Sequence, residues 1–163
     1  MGLLSSAQFF QSFVETKLDR HGILYRKVHE ASDLTDTYVD EDNKNDNFGT
    51  VSTLVTQVTS TRETISHFRV NFDRLGLHTN ATIVEASLNL TRSTSSGAAT
   101  LALHEMDTVD VWSEGDATWR RPTSGQLWDD GGREYLSYAT DSGVMGSQTS
   151  DDFAFDLTSM LQQ

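Results

Sequence analysis

A chain of 163 residues has the length of one domain with a proper core, and its lack of cysteine excludes disulfides, thiolate metal sites and cysteine nucleophiles together. The formal net charge is -12, with lysine confined to Lys17, Lys27 and Lys44, which argues against nucleic-acid binding, and no apolar run approaches the eighteen or so residues of a membrane span. The same Asp-rich, Lys-poor composition suits either an ordinary acidic surface or a halophilic setting, where concentrated salt screens self-repulsion.

The spacing of Leu3, Ala7, Phe10, Val14 and Leu18 predicts a helix over residues 3–21, with Phe9 and Phe13 widening its apolar stripe. Ser5 and Gln8 form a capping box, Leu4 can staple Phe9 across it, and Gly22 stands where a left-handed C-cap belongs. So large an apolar face near a terminus needs a partner, either the chain's own body or a neighbouring subunit. Phe9, Phe10, Phe13, Val14 and Leu18 are therefore the candidate assembly residues. Met1–Gln8 carries no basic n-region of a secretory leader. Ile23–Val28 reads as a strand and residues 29–35 as a polar connector, so an N-terminal arm is expected over 1–35 and the main body over 36–163.

From residue 36 onward β-signals repeat. They fall at Asp36–Asp40, Ser52–Thr59, Ile65–Phe72, Ala81–Arg92, Ala98–Met106, Val109–Trp112, Leu136–Thr140 and Asp152–Leu161. Short strands divided by Gly, Ser, Asn and Asp turns predict a mainly β fold, an antiparallel β-sandwich or jelly roll preceded by the helix-and-strand arm. Alternation is cleanest in Val84-Glu-Ala-Ser-Leu-Asn-Leu90, where Val84, Ala86, Leu88 and Leu90 are expected to face inward. Ser93–Gly97 is expected to fold this strand back as a hairpin onto Leu101 and Leu103.

The stretch Trp112-Ser-Glu-Gly-Asp-Ala-Thr-Trp119, running into Arg120, Arg121 and the only proline, Pro122, suits a sandwich corner sealed by aromatic rings. It resembles the "W-T-E-x-x-x-T-W-x-x-x-P" signature of the DNRLRE family of β-sandwich modules related to carbohydrate-binding modules. Three further blocks are similar to that family in order: Asp36-Thr-Tyr-Val-Asp40 with Asn47-Phe-Gly49-Thr, His67–Leu75 with Ala81–Leu90, and Phe153–Leu161. The resemblance implies a sandwich over residues 36–161. Two features depart from it: the additional segment before residue 36, and the absence of the one or two strands with which such modules continue. An edge left open at Asp152–Leu161 would be covered by Ile23–Val28, by another subunit or by further chain.

Asp40, Asp42 and Asp46 supply alternate oxygen donors within Asp40–Asn47, the kind of loop that holds a structural calcium in such sandwiches, although a solvated turn explains the same residues. Trp128 is the candidate exposed ring for glycan stacking, with Tyr135 beside it, while Trp112 and Trp119 suit core packing. No G-x-S-x-G, H-E-x-x-H, P-loop or dinucleotide fingerprint occurs, the five histidines lack ligand spacing, and no cofactor or catalytic residue is expected. Asn80-Ala-Thr and Asn89-Leu-Thr are glycosylation sequons.

Modules of the resembled kind work outside cells. Together with the leaderless start, this leads to an expected non-catalytic structural role in a tailed virus particle, at the capsid surface, neck or tail. There the arm would anchor the chain to copies of itself and to other virion proteins. The alternative is a carbohydrate-binding or adhesion module of an extracellular or cell-surface protein.

Overall fold

The computed structural model describes residues 12–18, 24–29, 34–70, 82–92, 99–106, 111–129, 132–133, 141–145 and 152–161. Its elements are β1 (Ser12–Leu18), β2 (Leu24–His29), β3 (Leu34–Asp40), β4 (Gln57–Val58), β5 (Glu63–Val70), β6 (Thr82–Thr91), β7 (Ala99–Leu103), β8 (Asp141–Met145), β9 (Asp152–Asp156) and a single helical turn, α1 (Thr158–Leu161). They form a four-stranded sheet in the order β2-β1-β6-β9, a three-stranded sheet β3-β5-β4 and the pair β7-β8, and every pairing is antiparallel.

The predicted N-terminal helix gives way to a strand wherever the structure describes it. Ser12–Leu18 is β1, paired with β2 from Phe13↔His29 to Leu18↔Leu24 and with β6 from Ser12↔Asn89 to Leu18↔Thr82. Spacing by four misled the reading, because residues four apart share a face in a helix and in a strand alike, and β-branched Val14 and Thr16 suit the latter. Pairing on both sides then outweighs a helical propensity that is marginal for a short segment. Of the candidate assembly residues, Phe13, Val14 and Leu18 belong to this central strand, while Phe9 and Phe10 lie outside the described residues. The predicted strand Ile23–Val28 is present as β2, at the opposite edge of the sheet from β9.

In β6, Ala86, Leu88 and Leu90 are buried as the alternation predicts, but Val84 is 44% exposed and Ile83 is buried instead. A bulge explains the inversion. The ladder with β1 steps from Thr16↔Glu85 to Lys17↔Ile83, so Val84 has no opposite residue and the inward parity shifts by one. The predicted β6–β7 hairpin is also absent: β6 lies between β1 and β9, and β7 pairs with β8. Strand β8 has no strand signal in the sequence, because Asp141-Ser-Gly143 carries turn residues. Gly143 is nevertheless needed inside the strand, since a Cβ there would sit 2.5 Å from the Phe153 ring.

The main core gathers Leu34, Ile83, Ala86, Leu88, Leu90, Leu101, Phe155 and Leu157, with Phe68 and Val70 packed against it, so all three sheets contribute to one apolar interior. Each of the leucine, isoleucine and phenylalanine side chains fully buried there contributes about 1.5–3 kcal/mol by leaving water. Thr158 closes the end of β9: its hydroxyl accepts from the Ala86 amide at 3.1 Å while Leu157 N donates to Ala86 O at 2.9 Å. A second, smaller cluster of Trp112, Ala117 and Trp128, with Met106, sits within the loop layer 111–129.

Candidate functional site

Two of the sequence motifs meet in space. The Asn47 amide donates to Glu114 O at 2.7 Å and to Ala117 O at 2.8 Å, and its own oxygen accepts from Gly49 N at 3.2 Å. A Cβ on Gly49 would lie 2.0 Å from Glu114 O, so the backbones approach as only glycine permits. Asn47-Phe-Gly49 therefore clamps the turn between the two tryptophans. Ser113 N donates to Pro122 O at 2.9 Å, and Trp128 N to Arg120 O at 3.1 Å, which closes the layer on itself.

This layer is docked on β5 by His67 and Arg69, which lie two apart and share a strand face. Arg69 Nη1 donates to Trp112 O at 3.0 Å, and its guanidinium lies 5.2 Å from the ring centroid of the same tryptophan. His67 stacks on Trp128 at 5.7 Å and 18°, meets Trp112 at a steep angle, and places Nδ1 3.4 Å from Met106 Sδ. Complete burial pushes the His67 imidazole down to about 4, an effect only partly offset by the Gly132 backbone. Glu114 is raised by burial and then by the Asp36 carboxylate, with Arg69 opposing.

Trp128 is thus not the exposed ring expected from the sequence. It is 6% exposed, with one face against His67 and Nε1 donating to Thr118 O at 2.8 Å, which leaves no open face on which a pyranose could stack. Trp112 and Trp119 are buried as expected. Tyr135 and Asn80 lie outside the described residues. Asn89 is in mid-strand in β6, half-buried, and the Thr91 hydroxyl of its sequon donates to Asp152 Oδ1 at 2.7 Å.

The Asp40, Asp42, Asp46 set does not fit a calcium ion. Asp40 is buried and both its oxygens are engaged: Oδ1 accepts from Arg62 Nε at 3.0 Å and from Asp42 N at 3.1 Å, Oδ2 from Arg62 Nη2 at 2.5 Å and from Asn43 Nδ2 at 2.7 Å. Burial raises the Asp40 carboxyl, but these bonds outweigh it and hold the group below its ordinary value. Asp42 and Asp46 are exposed, and among the described residues no three His, Cys, Asp or Glu side chains converge as metal ligands. Asp40 instead ends β3 as an Asx-type turn and buttresses the Thr59–Arg62 turn between β4 and β5.

Along that second turn runs an open groove of about 410 Å³, bordered by Glu41, Thr59, Thr61, Arg62, Glu63 and Arg133. The turn is rigid for its size. Thr59 N donates to Arg62 O at 2.8 Å, and Thr59 Oγ1 accepts from the Thr61 and Arg62 amides at 3.2 and 3.0 Å. Arg133 donates through Nε to Glu63 Oε2 at 2.7 Å, with its guanidinium 5.4 Å from the Trp119 ring centroid. It follows Gly132, whose φ of 79° strains any larger residue and where a Cβ would meet the Val39 side chain at 3.0 Å. In β3, Tyr38 stacks on Phe48 at 4.2 Å and 13°. Burial raises its phenol first and Asp40 adds to the rise, while Arg62 opposes it.

Sequence reasoning missed Arg62, Glu63 and Arg133. Nothing local marks them, since the Asp40–Arg62 pair spans 22 residues and the Glu63–Arg133 pair spans 70. Only the β3–β5 register, which sets Asp40 opposite Thr64, brings the first pair together. In chemical terms the groove offers planar guanidinium donors, carboxylate acceptors and hydroxyls on rigid backbone, a surface suited to a polyhydroxylated ligand.

The sequence model described as carbohydrate-binding module family 96 matches residues 28–129, more than half of the chain. Neither a curated protein nor a solved structure matches it.

Proposed function

Since the chain belongs to carbohydrate-binding module family 96, we propose that it is a non-catalytic glycan-binding module and that the groove along Thr59–Arg62 is where glycan binds. The family match carries the reading, and the groove offers a seat because it is open and bordered by both donors and acceptors on a hydrogen-bonded turn. In this reading Arg62 and Arg133 present N–H groups to sugar hydroxyls, Glu41 and Glu63 accept from them, and Thr61 adds an exposed hydroxyl. The three sheets form a sandwich-like body that holds the groove in place.

Modules of this class typically work outside the cell or at its surface, and no helix among the described residues is long and apolar enough to cross a membrane. The family favours the second of the two roles named from the sequence. A structural place in a tailed virus particle rests on no observation of the fold or of the family match.

The test is affinity gel electrophoresis of the full chain through a panel of soluble polysaccharides, neutral and charged. Retardation by at least one of them, weakened in Thr61→Ala and Arg133→Ala, is the expected result. Migration unchanged in every gel would overturn the reading.

A further inference from the structure

We propose that His67 is a positioning residue for the groove: uncharged, it seats the loop layer that fixes Arg133 at the groove border, and on taking a proton it unseats that layer and releases the ligand. The proposal rests on the glycan-binding reading above. The imidazole is 4% exposed, stacks on Trp128 and meets the Trp112 ring at 6.0 Å. Its Nδ1 faces the Met106 sulfur, a weak acceptor, and its Nε2 is buried without a hydrogen-bond partner. The charged and titratable groups on the elements around it are Arg69 on β5, Glu114 in the layer with Asp36 beyond it, His104 and Glu105 before Met106, and Arg133 after Gly132. None of these enters the balance of the imidazole, in which burial opposes the charge and the Gly132 backbone favours it by less.

From this ring a short path leads to the groove. Trp128 donates through N to Arg120 O at 3.1 Å and through Nε1 to Thr118 O at 2.8 Å, so it grips the backbone on both sides of Trp119. The Trp119 ring lies 5.4 Å from the Arg133 guanidinium, and its O and Cε3 lie 3.5 and 3.6 Å from where a Cβ on Gly132 would sit. Arg133 in turn donates to Glu63 at the groove border. Both routes from His67, through Trp128 and through Gly132, therefore end on Arg133. An imidazolium needs water or a good acceptor, so a charged His67 and a docked Trp128 exclude each other. The layer has a docked and an undocked state, and the groove is complete in the docked one.

The test joins a ligand-free measurement to a binding one, both on the full chain. In a nitrogen–proton NMR titration from pH 7 to 3.5, the Trp119 indole and the Gly132 amide should shift with the midpoint of the His67 imidazole, as the Trp128 indole does. His67→Phe should remove that step, and His67→Gln repeats the comparison with an uncharged polar side chain if the first variant does not fold. The binding arm uses affinity gels of mixed-linkage glucan and of dextran sulfate, polymers whose own charge is constant over this range. Retardation of the unaltered chain should correspond to an apparent Kd about twofold higher at pH 4 than at pH 7, since about half of the molecules then carry the charge. In His67→Phe the two values should agree. A Trp128 indole that follows His67 while Trp119 and Gly132 stay fixed would overturn the proposal and leave His67 a packing residue. Acid weakening that persists in His67→Phe would assign the response to the groove carboxylates and overturn it as well. Absence of retardation at pH 7 in these gels and in the rest of the panel would overturn the glycan-binding reading, while the resonances still decide whether His67 governs Arg133.

Discussion

The four-stranded sheet and the loop layer 111–129 are held by different physics. In the sheet, β6 is laddered to β1 over Thr82–Asn89 on one side and to β9 over Ser87–Thr91 on the other, and apolar side chains fill the interior behind it. In the loop layer the described bridges are isolated ones, Thr118↔Arg121 and Thr123↔Gln126. It is held by a few side chains that reach backbone carbonyls: Asn47 to Glu114 and Ala117 from the loop after β3, Arg69 to Trp112 from β5, and Trp128 to Thr118 within the layer itself. A ladder spreads its bonds over every residue and asks of each only a β-compatible shape, whereas the loop layer depends on particular residues at particular points. Substitutions of similar size should therefore be unequal in the two regions.

Two glycines provide the largest contrast. Gly49→Ala puts a methyl 2.0 Å from the Glu114 carbonyl, which is main chain and cannot move without releasing the Asn47 clamp. A loss of about 4 kcal/mol or more is expected, at the exceptional end for one residue. Gly143→Ala, in β8 packed against β9 at the edge of the four-stranded sheet, meets the Phe153 ring of that sheet at 2.5 Å, and a side chain can turn aside, so about 1–3 kcal/mol is expected, as for ordinary overpacking. Urea denaturation of both variants measures the difference. Equal losses would remove the distinction between the regions.

This contrast also explains what was legible in the sequence. The clamp and the tryptophan turn were legible as Asn47-Phe-Gly49 and Trp112–Trp119 through the family resemblance that these motifs carry. The strand at Asp36–Asp40 was legible as a β-rich run between polar segments, and those containing Ile65–Val70 and Ala86–Leu90 also from period-two alternation. Illegible were features set by tertiary pairing: the strand at Ser12–Leu18, the bulge at Val84, the β7–β8 pairing and the burial of Trp128. For the candidate site the failure was more complete. Its ion pairs join residues far apart in sequence, and the aspartates that looked like metal ligands are divided between a buried ion pair and exposed turn positions.

Acidification should act next in size and through the loop layer. His67 titrates at about 4 in the folded chain against an ordinary 6.5, so between those values the unfolded chain holds a proton that the folded one does not. Stability is full above pH 6.5 and is lost as pH falls toward 4, by about 3 kcal/mol from the size of the shift. The depressed Asp40 carboxyl gives way only at lower pH, below its ordinary value, which keeps the two transitions apart. His67→Phe should flatten the upper window, and melting curves between pH 7 and 4 check it. An unchanged slope in that variant would assign the loss elsewhere.

Trp128→Phe keeps an aromatic face for His67 but removes the Nε1–H that Thr118 O accepts and leaves a gap in a small cluster. A loss of about 2 kcal/mol is expected from the lost hydrogen bond and the missing ring volume, with Arg121 N still donating to Thr118 O at 3.2 Å. Leu88→Ala, in the larger aliphatic core of the sheet, should cost as much or more by the cavity alone, with no hydrogen bond involved. Tryptophan fluorescence and near-ultraviolet dichroism separate the two. Trp128→Phe should disturb the loop layer's aromatic signals at stabilities where Leu88→Ala leaves them intact.

The smallest effect on stability should come where function is proposed. Arg133 joins the loop layer to the three-stranded sheet through Glu63 and lies over Trp119, yet its side chain is 39% exposed and Glu63 is 20% exposed. Solvent screens such a pair, and Arg133→Ala is expected to cost about 0.5 kcal/mol or less. Neither region depends on it for its fold: the layer stays clamped by Asn47 and docked by Arg69, and β5 stays laddered to β3. Its effect on polysaccharide binding should be much larger, because it removes a planar donor from the groove border. A melting temperature near that of the unaltered chain, together with lost retardation in a polysaccharide gel, would separate recognition from folding at one residue. A large drop in stability would instead make Arg133 a structural strut of the loop layer.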